Sequence, residues 1–461
     1  MIPLESLTPC FQGLVPAWLC TCARDGTPNV AMISHVDYVG PRHVALSFQF
    51  FNKSRRNIGE NPLAAVRLYD PDTLRIVNLR VRYVRTETEG PLFETMRLRI
   101  EAIASHSGLK GIFKLLGADI YEVQAVAVDE HEVGLAEPRP QAAQATPVPF
   151  TMKALQEVAE RIQQAPGIDC LLDGMLETLE NLFGFRHSMI LLTGERPDQL
   201  ELVASRGYPE GGVGSEVGFG EGIIGMVAEA RKPLRISGMM RHMLYAYAVA
   251  QRAREHGLCP DDRRVPLPGL ADPETQLGIP LLARDELIGV LCIETDRLYR
   301  FHEEDRAYLE VLGGFFAIAI QNALLQERTG DPEGAAAPCP NGRPMPGPAV
   351  PTAPAPLEAA YYETDECMLI DGEYLVRGLP AKILRKILHE HEAEGSVEFT
   401  NRRLRLDKSL DLPAVKDNLE SRLILLRRRL EERCPGIRMV PCGRGRFRLE
   451  LGASVTLVSR P

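Results

Sequence analysis

Between Ala45 and Val66 the chain reads ALSFQFFNKSRRNIGENPLAAV, an apolar run that passes into Asn52-Lys53-Ser54-Arg55-Arg56-Asn57 and Asn61-Pro62 before a second apolar run begins. A turn between strands needs polarity, not three cations in four positions. Backbone N–H groups, a hydroxyl and a cation side by side are what proteins use to hold an anion. The competing reading is a solvated turn whose charges touch only water.

A second concentration of cations lies near the end of the chain. Between Arg402 and Arg448 there are fourteen Lys/Arg against six Asp/Glu, although the whole chain carries a net charge of -9. In DNLESRLILLRRRLEERCPG, Leu419, Leu423, Leu426 and Leu430 recur at helical steps and Asp417 or Asn418 stands at the cap. Arg422, Arg427, Arg428, Arg429 and Arg433 then lie around the rest of that helix. Arg444 and Arg446 flank Gly445 at the tip of a predicted hairpin. Guanidinium groups suit both phosphates and guanine edges, so this pattern points to duplex DNA, with a solvated face on a protein-binding module as the alternative.

Two further groups carry chemistry less specifically. Cys20-x-Cys22 is the only close cysteine pair, and with no His or Cys at ligand spacing it reads as buried thiols, not a metal site. Met239, Met240, His242, Tyr245 and Tyr247 combine soft apolar bodies with polar tips, which can line a ligand pocket or fill a core.

The elements that must position these residues fall into three units. A chain of 461 residues predicts about two to four domains. Residues 136–149 and 329–360 are Pro/Ala-rich and aperiodic and read as linkers, leaving folded units at 1–135, 150–328 and 361–461. No run of 18 apolar residues predicts a spanning helix, and no basic-then-apolar start predicts a signal peptide. Ten scattered cysteines fit a reducing cytoplasm. The first unit shows short strand-like runs separated by Asp25-Gly26, Gly40-Pro41 and Asp70-Pro71, a small barrel pattern followed by a helix over 91–105.

With these elements in place, WLCTCARDGTPNVAMIS, LSFQFFNKSRRNIGENPLAAVRLYD and RYVRTETEGPLFETM resemble the split-barrel flavoproteins of the pyridoxamine 5'-phosphate oxidase-like superfamily, over residues 10–133. The resemblance implies an FMN phosphate at Asn52, Lys53 and Ser54, matched on Asn61-Pro62, and an isoalloxazine-side strand at Phe48 and Gln49. Asn29 and Ser34 are secondary candidates. Where the oxidases place an Arg-Lys pair this chain has Lys53-Ser54, and it lacks a clear equivalent of their substrate-phosphate residues. Flavin binding is therefore implied without oxidase activity on that substrate.

FGFRHSMILL, VGFGEGIIGMVAEARKPLRI, GIPLLARDELIGVLCIET and FHEEDRAYLEVLGGFFAIAIQNALL resemble a GAF domain. The resemblance implies a ligand lid over 237–276, hence a pocket at Met239, His242, Tyr245 and Tyr247. Cys259-Pro260 lacks the Cys-His pair of bilin attachment. Leu309, Leu312, Phe315, Phe316, Ala319 and Ile320 make a stripe suited to homodimer formation or to burial within one subunit. LLRRRLEERCPGIRMVPCGRGRFRLEL resembles the end of the response-regulator winged helix, implying a recognition helix in the major groove and a hairpin beside it.

The expected fold class is α+β multidomain: split β-barrel, GAF α/β sandwich and C-terminal winged helix. The expected function is a cytoplasmic flavin and small-ligand sensor-regulator acting on duplex DNA. A flavin-dependent oxidoreductase with regulatory domains is the alternative.

Overall fold

The computed structural model describes residues 2–11, 16–33, 35–49, 52–70, 75–106, 114–129, 151–237 apart from 195, 197 and 210, 267–270, 273–297, 301, 303–329, 356–412 and 418–461. In the first unit a 3-10 helix (Leu4–Phe11) precedes β1 (Ala17–Cys22), β2 (Pro28–Ile33), β3 (Val36–Gly40) and β4 (His43–Phe48). Then come α1 (Asn52–Glu60), β5 (Leu63–Tyr69), β6 (Ile76–Glu87), α2 (Pro91–His106) and β7 (Gly117–Asp129). The strands form one antiparallel sheet in the order β2-β1-β5-β6-β7-β4-β3. Asp25-Gly26 closes the first hairpin, with Gly26 at φ +89° and the Asp25 carboxylate accepting from Thr27 N–H at 2.9 Å. Register shifts at Arg80/Val81 and Tyr83/Arg85 interrupt the ladder of the two longest strands, a disruption that bends a sheet. Leu19, Val44, Val66, Leu79 and Val123 from five of these strands share one core.

The cationic run is not a turn. Lys53 to Arg56 lie inside α1, whose inward positions are Ser54, Asn57 and Ile58, at steps of three and one. Two of those three side chains are polar, so the helix carries no apolar periodicity for sequence reading to detect.

The middle unit runs α3 (Met152–Gln164), α4 (Ile168–Phe183), β8 (His187–Thr193), β9 (Gln199–Arg206) and β10 (Glu216–Gly218). It continues with α5 (Gly222–Ala230), β11 (Leu234–Ser237), β12 (Thr275–Ala283), β13 (Glu286–Thr295) and α6 (Glu303–Thr329). Its antiparallel sheet has the order β10-β9-β8-β13-β12-β11. The predicted turn Arg284-Asp285 joins β12 and β13 with both residues left-handed, as a two-residue hairpin requires. Leu171, Leu172, Met175 and Leu179 of α4 and Leu309, Leu312, Phe316 and Ile320 of α6 cover one face of the sheet. The other face takes α5 and, from the first unit, Leu98 and Ala102 of α2. The expected stripe on α6 is therefore divided: four members are buried within the subunit, while Phe315 is exposed. Contrary to the expectation of no spanning segment, Asp305–Arg328 is long and apolar enough to cross a membrane by length and composition. One side of it is core.

The last unit opens with β14 (Leu357–Tyr362), which begins inside the expected linker. It continues with β15 (Cys367–Ile370), β16 (Glu373–Arg377), α7 (Leu379–Glu394), β17 (Glu398–Thr400) and α8 (Asn401–Leu406), then α9 (Leu419–Arg433), β18 (Ile437–Gly443), β19 (Arg446–Leu451) and β20 (Val455–Arg460). One sheet is β16-β15-β14-β20, with β20 parallel to β14; the other is β17-β19-β18. Ile383, Leu384 and Ile387 of α7 meet Leu419, Leu423, Leu426 and Leu430 of α9 in a common core. Asn418 does not cap α9 through its side chain: it is left-handed at φ 46°, and its amide donates to Gly194 O in the middle unit at 3.3 Å. Asp417 lies outside the described residues.

Candidate functional sites

In the first unit, α1 brings its residues against β1, β2, β4 and β7. Lys53 is exposed at the helix start. Ser54 is buried, and its hydroxyl accepts from Asn29 Nδ2 at 2.9 Å, so it ties α1 to β2. Asn57 Nδ2 donates to Thr21 Oγ1 at 3.1 Å and ties the same helix to β1. Phe48, half-buried at the end of β4, lies under the Arg55 guanidinium at 4.8 Å, and Gln49 beside it is buried. Arg55 is committed to Asp119 of β7 by a salt bridge. Asp119 also accepts from Thr86 Oγ1, which is 2.7 Å from Tyr83 Oη. Burial is the largest single effect on the Arg55 pKa and pulls it down, but the hydrogen bond and charge of Asp119, with the neighbouring tyrosines, together outweigh it and raise the pKa. Burial and the adjacent Asp119 push the Tyr121 hydroxyl pKa well up.

For a flavin phosphate this leaves the first N–H groups of a nine-residue helix and the Lys53 ammonium, the donor set such a dianion requires. Ser54 is buried and its hydroxyl accepts from Asn29, which leaves its O–H free to donate. The side chain of Asn52 and all of Ser34 lie outside the described residues. Sequence reading had no signal for Asp119, Thr86 or Tyr83, which reach Arg55 only through β-pairing.

The middle unit holds a second polar group on the sheet face opposite α4 and α6. Glu294 of β13 accepts from Tyr208 Oη at 3.2 Å and Leu270 N–H at 3.0 Å through Oε2, and from Gln276 Nε2 at 3.0 Å through Oε1. Gln276 Nε2 also lies 3.2 Å from Cys292 Sγ, and His187 meets the Tyr208 ring edge-on at 5.6 Å. Burial pushes the pKa of the Glu294 carboxyl up, against the pull of its Leu270 and Tyr208 donors, and burial pushes up the Cys292 thiol pKa as well. Sequence reasoning missed this group, although Gln276 and Glu294 stand out as polar members of otherwise apolar strands. Met239, His242, Tyr245 and Tyr247 lie outside the described residues.

The third group joins the last unit to the middle one. Arg422 is 2 % exposed and forms a salt bridge with Glu201 of β9. Arg427 pairs with Asp169 in the first turn of α4. Arg428 pairs with Asp169 at 3.3 Å and Asp173 at 2.9 Å. Arg429 is buried and donates to Leu375 O at 3.0 Å. Of the arginines expected to meet duplex DNA, these four are held in this structure by acidic side chains of the middle unit or a buried carbonyl, and not by water as in the alternative of a solvated face. Arg433 is exposed, as are Arg402, Arg444, Arg446 and Arg448 on α8 and the hairpin. Glu327 at the end of α6 fixes the hairpin turn by accepting from Gly445 N–H at 2.8 Å.

Of the cysteines, Cys20 and Cys22 are free and half-buried, not fully buried as expected. Cys170 is disulfide-bonded, which departs from the expected set of reduced thiols. Among the described residues no cluster of metal-ligating side chains is present.

Residues 166–321 match the GAF domain family, and this part of the chain is a GAF domain. No curated protein matches the chain. Among solved structures, the chain is similar to the GAF domain of a phosphoenolpyruvate-protein phosphotransferase from Coxiella burnetii, at 21% identity over 38% of this chain and 95% of that one, with a TM-score of 0.29. The corresponding domain from Acinetobacter is 19% identical over 37% and 92%, with a TM-score of 0.29. An FMN-binding protein from Syntrophomonas wolfei is 15% identical over 30% and 91%, with a TM-score of 0.24.

Proposed function

We propose that the chain is a cytoplasmic ligand-responsive regulator in which the GAF domain governs a C-terminal winged-helix unit that binds duplex DNA. The observation that carries this reading is the docking of α9 on the GAF domain: Arg422, Arg427 and Arg428 face Glu201, Asp169 and Asp173. A helix held this way cannot enter a groove. A rearrangement of β9 or α4 would release cations that suit phosphates, while Arg444 and Arg446 on the hairpin stay accessible throughout. The buried group around Glu294 and Gln276 supplies the polar contacts from which such a rearrangement would start.

The test is a titration of the full chain with a duplex at low salt, comparing the parent with Asp169→Asn/Asp173→Asn. The double variant should bind about tenfold tighter, which corresponds to about 1.4 kcal/mol. Equal affinity in the two proteins sinks the release mechanism. No binding by either at low salt sinks the DNA reading.

A second reading is a flavin-dependent oxidoreductase. It is favoured by the helix N-terminus with Lys53, beside Phe48 and Gln49. The first unit would then hold FMN as a split barrel, the flavin would supply the redox chemistry, and the other units would regulate it. A yellow protein that continuously consumes NADPH supports that reading; a colourless protein, or a yellow one that does not turn over, speaks for the regulator.

A further inference from the structure

Burying a carboxylate costs free energy unless a cation meets it. Glu294 is 7% exposed, and its three donors, the Tyr208 hydroxyl, the Leu270 N–H and the Gln276 amide, are all uncharged. Among the described residues no Lys, Arg or His forms an ion pair with it. Protonation would remove the charge, but of the three neighbours only Tyr208 has a lone pair to accept the new proton. Gln276, 6% exposed, carries a second unmet acceptor. It stands opposite Glu294 in the β12–β13 register, as His187 does in the β8–β13 register, so the three side chains form a row on one sheet face. A carboxylate accepts and does not donate, which fixes the Gln276 amide with Nε2 towards Glu294. The same nitrogen lies 3.2 Å from Cys292 Sγ, so both amide protons are committed. Its Oε1 has no donor among the described residues.

We infer that this row is a binding site for a primary ammonium group, the charged end of an amine or of an amino acid, with Glu294 as its counter-ion and Gln276 Oε1 as its second acceptor. An ammonium brings one positive charge and three N–H donors, which answer both deficits at once; a neutral or anionic ligand leaves the charge unbalanced. Tyr208 and His187, in edge contact at 5.6 Å and only partly buried, add aromatic rings, which favour a cation. Approach is open at Gly269, which is exposed and has no side chain to cover the carboxylate: a Cβ there would lie 3.9 Å from Oε2. The inference rests on the reading of the GAF domain as the ligand-responsive part of a regulator and names the ligand class. It also names a route, because Tyr208 lies two residues beyond β9, the strand whose Glu201 holds Arg422 of α9.

The test is the melting temperature of the full chain without DNA, titrated through the millimolar range with n-butylammonium chloride or L-alanine, and with n-butanol and sodium chloride as controls. At least one ammonium compound should raise it saturably, and neither control should. A response to n-butylammonium alone assigns an amine, and a response to L-alanine assigns an amino acid. Glu294→Gln keeps the shape and an acceptor but removes the charge, and should weaken the response about tenfold. If that variant does not fold, the contrast between n-butylammonium and n-butanol in the parent decides alone. Equal shifts with n-butanol would make the site apolar, and equal shifts with sodium chloride would make it a site for a bare metal ion; either overturns the inference. So does a Glu294→Gln protein that keeps the full response, or a parent that responds to neither ammonium compound. With no DNA present, such a failure strikes the ligand class alone and leaves the regulator reading to its own duplex titration.

Discussion

Arg422 of α9 forms a salt bridge with Glu201 of β9, 221 residues away in the chain and in another folded unit, with both side chains withdrawn from water. Breaking a buried pair by removing one partner leaves an uncompensated charge and costs about 3–5 kcal/mol, whereas replacing both by apolar groups is often close to neutral. Glu201→Gln should therefore lower the unfolding free energy of the full chain by that amount. Glu201→Met with Arg422→Met should recover most of it. Urea unfolding followed by circular dichroism reads both, and a decrease below about 1 kcal/mol in the single variant would show that the pair does not hold the two units together.

Lys53 and Arg55 sit two residues apart on α1 but should respond differently. Lys53 is exposed at the start of the helix, so Lys53→Ala should weaken FMN binding by about 1.5–3 kcal/mol, ten- to a hundredfold, and leave folding intact. Arg55→Ala leaves Asp119, which is nearly buried, without its ion-pair partner and should lower the stability of the first unit. Flavin fluorescence quenching and thermal unfolding separate the two effects. An unchanged FMN affinity in Lys53→Ala would remove the phosphate from this helix.

Much of this architecture is legible in the sequence because apolar periodicity carries it. The stripes on α4 and α9, the Arg284-Asp285 hairpin and the Gly445 tip follow from spacing and turn chemistry, and each lies where those rules put it. Helix α1 is not legible because its inward residues Ser54 and Asn57 are polar. The fate of the α9 arginines is hidden for a different reason. Helical spacing shows which side of a helix is apolar, but not that Asp169, Asp173 and Glu201 arrive from elsewhere in the chain to cover the rest. Spacing alone also groups Phe315 with a buried stripe, because the position of the sheet is not in the sequence. Phe315 lies about 100° around the helix from Phe316 and is exposed, at an edge of the stripe that the sheet does not cover.

Glu294 makes stability depend on pH in a direction opposite to most carboxylates. Burial raises its folded pKa above the ordinary 4.5, so between those two values the folded state holds more protons than the unfolded one. Its contribution is greatest below about pH 4.5 and is lost as pH rises through the folded value. Glu294→Gln keeps an acceptor for Tyr208 and Leu270 and removes the titration. The variant should lose this decline and gain on the parent from pH 4 to pH 7. Parallel melting curves for the two proteins across that range would show that Glu294 does not titrate differently on folding.

Arg444 and Arg446 flank the tip of the β18–β19 hairpin and are exposed, so they can meet phosphates without any movement of α9. Each phosphate that is no longer neutralised lowers the slope of log affinity against log salt by about 0.9. Arg444→Ala/Arg446→Ala in the full chain should therefore flatten the slope by about 1.8 and leave the fold unchanged, since neither side chain enters the core. Leu426 is the control: it is fully buried between α9 and α7, and Leu426→Ala should cost about 2–5 kcal/mol of stability. Affinities across a salt series, with circular dichroism on each variant, measure both effects. A parent slope near zero would mean that the hairpin makes no phosphate contacts, and its arginines would then belong to a protein-binding surface.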